Sequence, residues 1–274
     1  MLEREEPGMG DRAMEPLVLH YHRVSQGPIL AGGWVLPRQL RFHLSQLARW
    51  GFSPADPSEF PALSSERTYL LTFDDAYTDV AENALPVMED FGARGMVFPV
   101  TGFLGRKPTW DVTWGTSGRH MDRAQLRELA SGGWEIGSHS VTHPDLRRLD
   151  DRTLGAELLD SKKTLEDITG AGVFCFSYPF GRFNTRVRDA VAAAGYRVAF
   201  TMRRGPGLGW TDPLAIPRVS IYLPDYSLYR KIEPAYRWPE AFLERLINLN
   251  AGGTAWVRHR APWLGRLLGM KPDD

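Results

Sequence analysis

Short apolar runs alternate along this chain with stretches in which apolar residues recur every three or four positions. The runs have strand length and the periodic stretches helix length, so the pattern predicts repeated strand–helix units and a largely parallel sheet. Leu17 to Tyr21 reads as the first strand. A helix opened by Pro37 follows, with Leu40, Leu44, Leu47 and Trp50 on one face and Gly51 as its stop. Tyr69 to Phe73 and Met96 to Thr101 are the next strands, separated by a short helix from Asn83 to Phe91. Asp122 caps a helix through Ala130, and Trp134 to Gly137 is the strand behind it. A longer helix covers Asp151 to Thr169, carrying Leu154, Leu158, Ser161, Leu165 and Ile168 at helical spacing. A strand at Val173 to Ser177, a helix at Arg186 to Ala194, and strands at Arg197 to Thr201 and Ala215 to Ser220 complete the pattern. Seven or eight strands interleaved with helices suit a closed α/β barrel better than an open sheet.

Composition narrows the classes of function. The 274 residues are 43% hydrophobic and 24% charged, an ordinary globular balance. Lys+Arg and Asp+Glu number 33 each, so no electrostatic footprint for nucleic acid exists. The single cysteine, Cys175, lies in an apolar run and reads as a small core residue. The first sixteen residues form a charged segment without the apolar stretch of a secretory leader, which predicts a cytoplasmic protein or one on the inner face of a membrane. Residues 17–224 then form the main body, and 225–274 a basic, aromatic extension. In that extension Trp256 to Leu268, with Arg258, Arg260 and Arg266, predicts an amphipathic helix that either packs on the barrel or touches anionic lipid.

The candidate chemistry lies at predicted strand ends. Asp74 and Asp75 follow the apolar run from Tyr69 to Phe73, where acids are costly to bury without partners. Adjacent strand residues point to opposite sides, so both reach one site only if the strand end bends. His139 and His143 are four residues apart, and Gly137, Ser138 and Pro144 favour a loop that wraps both rings around one ion over a helix. An acid, two imidazoles and a spare carboxylate would suit a divalent metal that activates water beside a base. His20 and His22, two apart on a strand, should face the same side, as hydrogen-bonded core residues or as lumen residues near the metal. His43, His120 and His259 have no such context and read as surface or packing residues.

Four motifs occur in a specific order: Tyr21-His22-Arg23-Val24, Thr72-Phe73-Asp74-Asp75, His139-Ser140-Val141-Thr142-His143-Pro144-Asp145-Leu146 and Ser177-Tyr178-Pro179-Phe180-Gly181. From about Leu17 to Ser220 the chain resembles the polysaccharide deacetylases of the NodB-homology type, carbohydrate esterase family four. The resemblance implies a distorted (β/α)7 barrel that removes N-acetyl groups from amino sugars with a divalent metal, usually Zn2+. It implies Asp75, His139 and His143 as metal ligands, Asp74 as general base and the Tyr178 backbone N–H as an oxyanion donor. The N-terminal Tyr-His-x-Val motif is similar to the poly-N-acetylglucosamine branch, which places the general acid at His22. The expected partner is an N-acetylated carbohydrate, as a polymer, a soluble glycoside or a lipid- or nucleotide-linked precursor. The same barrel could serve an O-acetyl esterase or an inactive carbohydrate-binding relative. The chain departs from the family pattern in three respects, one of them the missing secretory leader. Ala76 follows Asp75 where glycine is usual, and Ser177-Tyr178-Pro179 replaces an arginine followed by paired prolines. Arg218 is expected either to reach Asp74 and hold it ionised or to form a structural ion pair.

Overall fold

The computed structural model describes residues 16–27, 33–60, 67–107, 118–202 and 212–232. The strands that build the barrel are β1 (Leu17–Tyr21), β2 (Thr68–Asp75), β3 (Gly95–Pro99), β4 (Glu135–Ile136), β5 (Cys175–Ser177), β6 (Val198–Thr201), β7 (Ile216–Pro217) and β8 (Val219–Ser220). All pair in parallel, in the ring order β8-β1-β2-β3-β4 and β5-β6-β7. Two seams close the ring. Ser138, just past β4, bridges to Phe176 of β5. At the other seam β7 pairs with β6, β8 pairs with β1, and only Arg218 separates them, its N–H donating to the Thr201 carbonyl at 3.1 Å. The segment 216–220 is therefore one kinked stave shared by both sheets.

The connections are helices: α1 (Pro37–Arg49), α2 (Leu85–Glu89), α3 (Arg123–Ser131), α4 (Asp151–Thr169), α5 (Thr185–Ala193) and α6 (Leu228–Ile232). Caps set their ends as the sequence predicts. Asp122 accepts from the N–H groups of Ala124 and Gln125 in a full capping box, and Gly170 closes α4 at φ 70°. The predicted helix from Asn83 to Phe91 is instead a π turn over Val80–Ala84 that runs into α2. Pro86, in the first turn of α2, has no N–H to continue a ladder from the preceding turn. Among the described residues, no helix is long and apolar enough to cross a membrane.

Strand alternation sorts the core into two layers. Leu17, Leu19, Tyr21, Tyr69, Leu71, Phe73, Val97, Phe176 and Ala199 face outward and pack under the helices. Val18, Leu70, Met96, Phe98, Cys175, Val198, Phe200 and Ile216 fill the inside, with Phe60. Burial pushes the Cys175 thiol up, as befits an inert core residue. Two residues on from this plug, the same inward parity selects His20, Thr72, Ser177 and Arg218.

The body continues past residue 224. Leu228 and Ile232 are buried, and the Asp225 carbonyl accepts from Gln39 and from His43 Nε2 at 3.0 and 2.8 Å. Residues 1–15 and 233–274, including His259 and the predicted amphipathic segment, lie outside the described residues. His43 is a packing residue, with Tyr21 Oη donating to its Nδ1 at 3.0 Å, and burial pushes its pKa down to about 4. The folded pKa lies below the ordinary 6.5, so its contribution is full above pH 6.5 and is lost as pH falls toward 4. Moving that pKa is worth about 3 kcal/mol. Urea unfolding at pH 7 and pH 4.5 should show the parent losing about 2 kcal/mol more than His43→Gln, since part of the effect falls below pH 4.5; equal losses would remove His43 from the account.

Candidate active site

The lumen plug ends in a buried polar cluster around Asp74. Arg218 donates from Nη1 to Asp74 Oδ1 at 2.8 Å and from Nη2 to Oδ2 at 2.7 Å, a bidentate pair at 1% exposure for the arginine and 2% for the aspartate. The guanidinium also donates to Thr72 Oγ1 at 3.2 Å and Ser177 Oγ at 2.9 Å, and rests near the rings of Phe98 and Phe200. Ser177 Oγ donates to Asp74 Oδ2 at 3.0 Å, and His20 Nε2 lies 3.0 Å from the same oxygen. Burial pushes the Asp74 carboxyl up, but the Arg218 guanidinium outweighs it and holds the group well below the usual carboxylate range. Burial and the Arg218 charge push His20 down to about 3, so the imidazole beside Asp74 is neutral at pH 7.

Asp75 reaches the same site because the strand turns. Its φ is +65°, and that of Ala76 is +49°. Left-handed backbone costs roughly 1–3 kcal/mol per non-glycine residue and concentrates at functional sites. Among the described residues, Arg67, Asp75, Ala76, Ser140, His143 and Phe180 adopt it, and all but Arg67 belong to the site's motifs or to the turn beside them. The Ser140 and His143 turns fold the His139–His143 stretch into a loop whose two rings lie 4.7 Å apart. Glu157 of α4 holds this loop by accepting from the N–H groups of Val141 and Thr142 at 2.7 and 2.9 Å and from Thr142 Oγ1 at 2.6 Å.

One ligand atom from each of Asp75, His139 and His143 lies within 4.8 Å of the other two. Asp75 Oδ1 is 4.0 Å from Nε2 of both His139 and His143, and His139 Nε2 is 3.9 Å from Asp74 Oδ2. Ligand bonds of about 2.0–2.2 Å put neighbouring donors roughly 3–3.7 Å apart, so small torsional shifts would close the set. The donors have the right state as well. His139 Nδ1–H donates to the Ser177 carbonyl at 2.7 Å, which leaves a lone pair on Nε2. Burial lowers the pKa of both imidazoles, so they are neutral. Two neutral imidazoles and one carboxylate are a set of donors that could hold a divalent metal ion.

His22 is half-buried beside this set. One of its ring nitrogens lies within 4.8 Å of Asp74 and His20 ligand atoms, and its ring centroid is 4.5 Å from that of His20. Gly33 makes room for it: φ there is +95°, and a Cβ would stand 3.2 Å from His22 Nδ1. Tyr178 is a correction. Its N–H donates to the Phe200 carbonyl at 3.1 Å as part of the β5–β6 pairing, so it cannot serve as an oxyanion donor. Its hydroxyl donates to the Leu214 carbonyl at 2.9 Å. Pro179 has no N–H, and Phe180 is next; its φ is +59°, its ring centroid is 4.5 Å from that of His143, and no acceptor for its N–H is found among the described residues.

Sequence reasoning passed over Ser177 and Glu157, and gave His120 no context. Inward parity at the end of β5 marks Ser177. Glu157 is a buried acid on the apolar stripe of α4. Nothing local marks His120, which is brought to the site by the pairing of its segment with residues 76–78.

The sequence profile of the polysaccharide deacetylases matches residues 63–199, half of the chain. YxkH of Bacillus subtilis (strain 168), named for the same family, is 28% identical over 210 residues, 74% of this chain and 70% of the relative. The poly-β-1,6-N-acetyl-D-glucosamine N-deacetylase of Staphylococcus aureus is 22% identical over 167 residues, 57% of this chain and 55% of the relative. The Streptococcus pyogenes deacetylase PplD, solved with acetate, superposes with a TM-score of 0.64 at 22% identity, covering 81% of this chain and 98% of that one. With half its length matched and its seven-stave barrel shared with a solved deacetylase, the chain belongs to the polysaccharide deacetylase family.

Proposed function

We propose that the protein is a metal-dependent N-deacetylase acting on N-acetylhexosamine-containing glycans or their precursors. The observation that carries this reading is the ionised Asp74, 3.9 Å from His139 Nε2 and so beside the Asp75, His139 and His143 donor set. A divalent ion held by those three residues, Zn2+ by their chemistry, would polarise an acetamide carbonyl and lower the pKa of water. Asp74, kept charged by Arg218, takes the proton from that water as it attacks. The Phe180 N–H donates to the oxygen on which charge develops, in place of Tyr178. His22, half-buried at the edge of the cluster, gives a proton to the departing amine, a poor leaving group without one. The substrate class rests on the Staphylococcus aureus relative, whose name specifies an N-acetylglucosamine polymer.

Acetate release from N-acetylglucosamine oligomers and from lipid-linked acceptors tests the reading. Chelator-treated protein should release none, added Zn2+ should restore release, and Asp75→Asn should bind little Zn2+ and stay silent. Protein that carries the metal yet frees no acetate from any of these substrates overturns it.

A further inference from the structure

The geometry points to His120 as the positioning residue that holds the Asp75–Ala76 turn in its left-handed form and so aims the Asp75 carboxylate at the metal. The inference rests on Asp75 being a ligand, as proposed above. Two consecutive non-glycine residues at positive φ, +65° and +49°, will not persist without external constraint. Ala76 is fully buried, and a side chain at that position makes the left-handed form less favourable than glycine would.

The constraint comes from a segment more than forty positions away in sequence. His120 Nδ1–H donates to the Asp75 carbonyl at 2.6 Å; a carbonyl can only accept, so Nδ1 carries the proton. The next residue, Met121, donates its N–H to the Ala76 carbonyl at 2.8 Å. Both carbonyls of the strained turn are thus gripped by two consecutive residues, one through its side chain and one through its backbone. The His120 ring is itself fixed. It stacks on Tyr77 at 4.8 Å and 22°, and Arg23, paired with Asp79, covers Tyr77 at 4.7 Å. The Met121 bond is main-chain and survives substitution, whereas the His120 bond belongs to this side chain alone. Alanine in place of the usual glycine makes the turn depend on it.

Zn2+ affinity, measured by competition with a chromogenic chelator, reads this directly. Outer partners of metal ligands typically change affinity by about 10–100-fold, and His120→Phe, which keeps the stacked ring but loses the donor, should weaken binding by that amount. His120→Asn, with an amide N–H near the position of Nδ1, should bind more tightly than His120→Phe. Ala76→Gly placed in the His120→Phe background should recover most of the loss, because glycine adopts the turn unaided, and Ala76→Gly alone should change little. Affinity within twofold of the parent for His120→Phe overturns the inference, as does a loss that Ala76→Gly leaves untouched. If His120→Phe does not fold, the double variant decides: folding with Zn2+ bound supports the role, and failure to fold assigns His120 to general packing. A parent that binds no Zn2+ would instead overturn the proposed function.

Discussion

Arg218→Leu is expected to remove about 3–5 kcal/mol of stability, the range for stripping one partner from a buried ion pair. It leaves the Asp74 carboxylate 2% exposed, with Ser177 and a neutral His20 but no counter-charge. The change should also cost activity at neutral pH. With Arg218 present, the folded pKa of Asp74 lies well below its unfolded value, so the pair stabilises the fold above the ordinary carboxylate range and that contribution is lost on acidification. Without Arg218, burial dominates and pushes the carboxyl up, so the rising limb of the activity profile should move to higher pH. Joining Asp74→Leu to Arg218→Leu removes the buried charge altogether and should regain much of the stability with none of the activity. Urea unfolding of the three chains decides the matter; a single variant within about 1 kcal/mol of the parent would mean that the pair contributes little.

His22→Ala should separate amide from ester chemistry. A positioned general acid contributes about 10²–10⁴-fold when the leaving group needs a proton. Acetate release from an N-acetylglucosamine oligomer should fall by that factor, while release from an O-acetylated sugar should fall much less, because an alkoxide departs more easily than an amide anion. Asp74→Asn, in contrast, should silence both substrates, since both need activated water. Equal losses on amide and ester in His22→Ala would assign that histidine to substrate placement. Ester turnover well above amide turnover in the parent would favour an O-acetyl esterase.

Periodicity carried most of the fold because strand and helix lengths differ and the caps are strong. Asp122, Asp150 and Gly170 end or begin their helices where local chemistry says they should. The helix expected from Asn83 to Phe91 contains α2, but the π turn before it, from Val80 to Ala84, is not legible, because a single wide turn is too short to set up a period of its own. In the site, the Asp74–Asp75 and His139–His143 motifs are local and stood out. Their placements differ because one Asp follows strand parity into the lumen and the other leaves it through a left-handed turn, which side-chain pattern alone does not encode. The engagement of the Tyr178 amide is not legible, because sequence does not reveal that β5 continues its pairing with β6 through that residue. His120 was invisible for a related reason: its partner is a carbonyl, and carbonyls carry no sequence signature.

The kinked stave at 216–220 has a consequence for when the molecule can act. Arg218 sits at the kink, between the bonds that tie this stave to β6 and those that tie it to β1. Ser220 on the same stave holds His20 Nδ1 at 3.1 Å. Opening of this seam would therefore withdraw the counter-charge of Asp74 and the anchor of its neighbouring imidazole together. In a barrel opened there, His139 and His143, which belong to the far side of the ring, would keep their places, while burial without a counter-charge would push the Asp74 carboxyl up. On the proposed function, the charge of the base would then depend on the two sheets staying joined at this one stave.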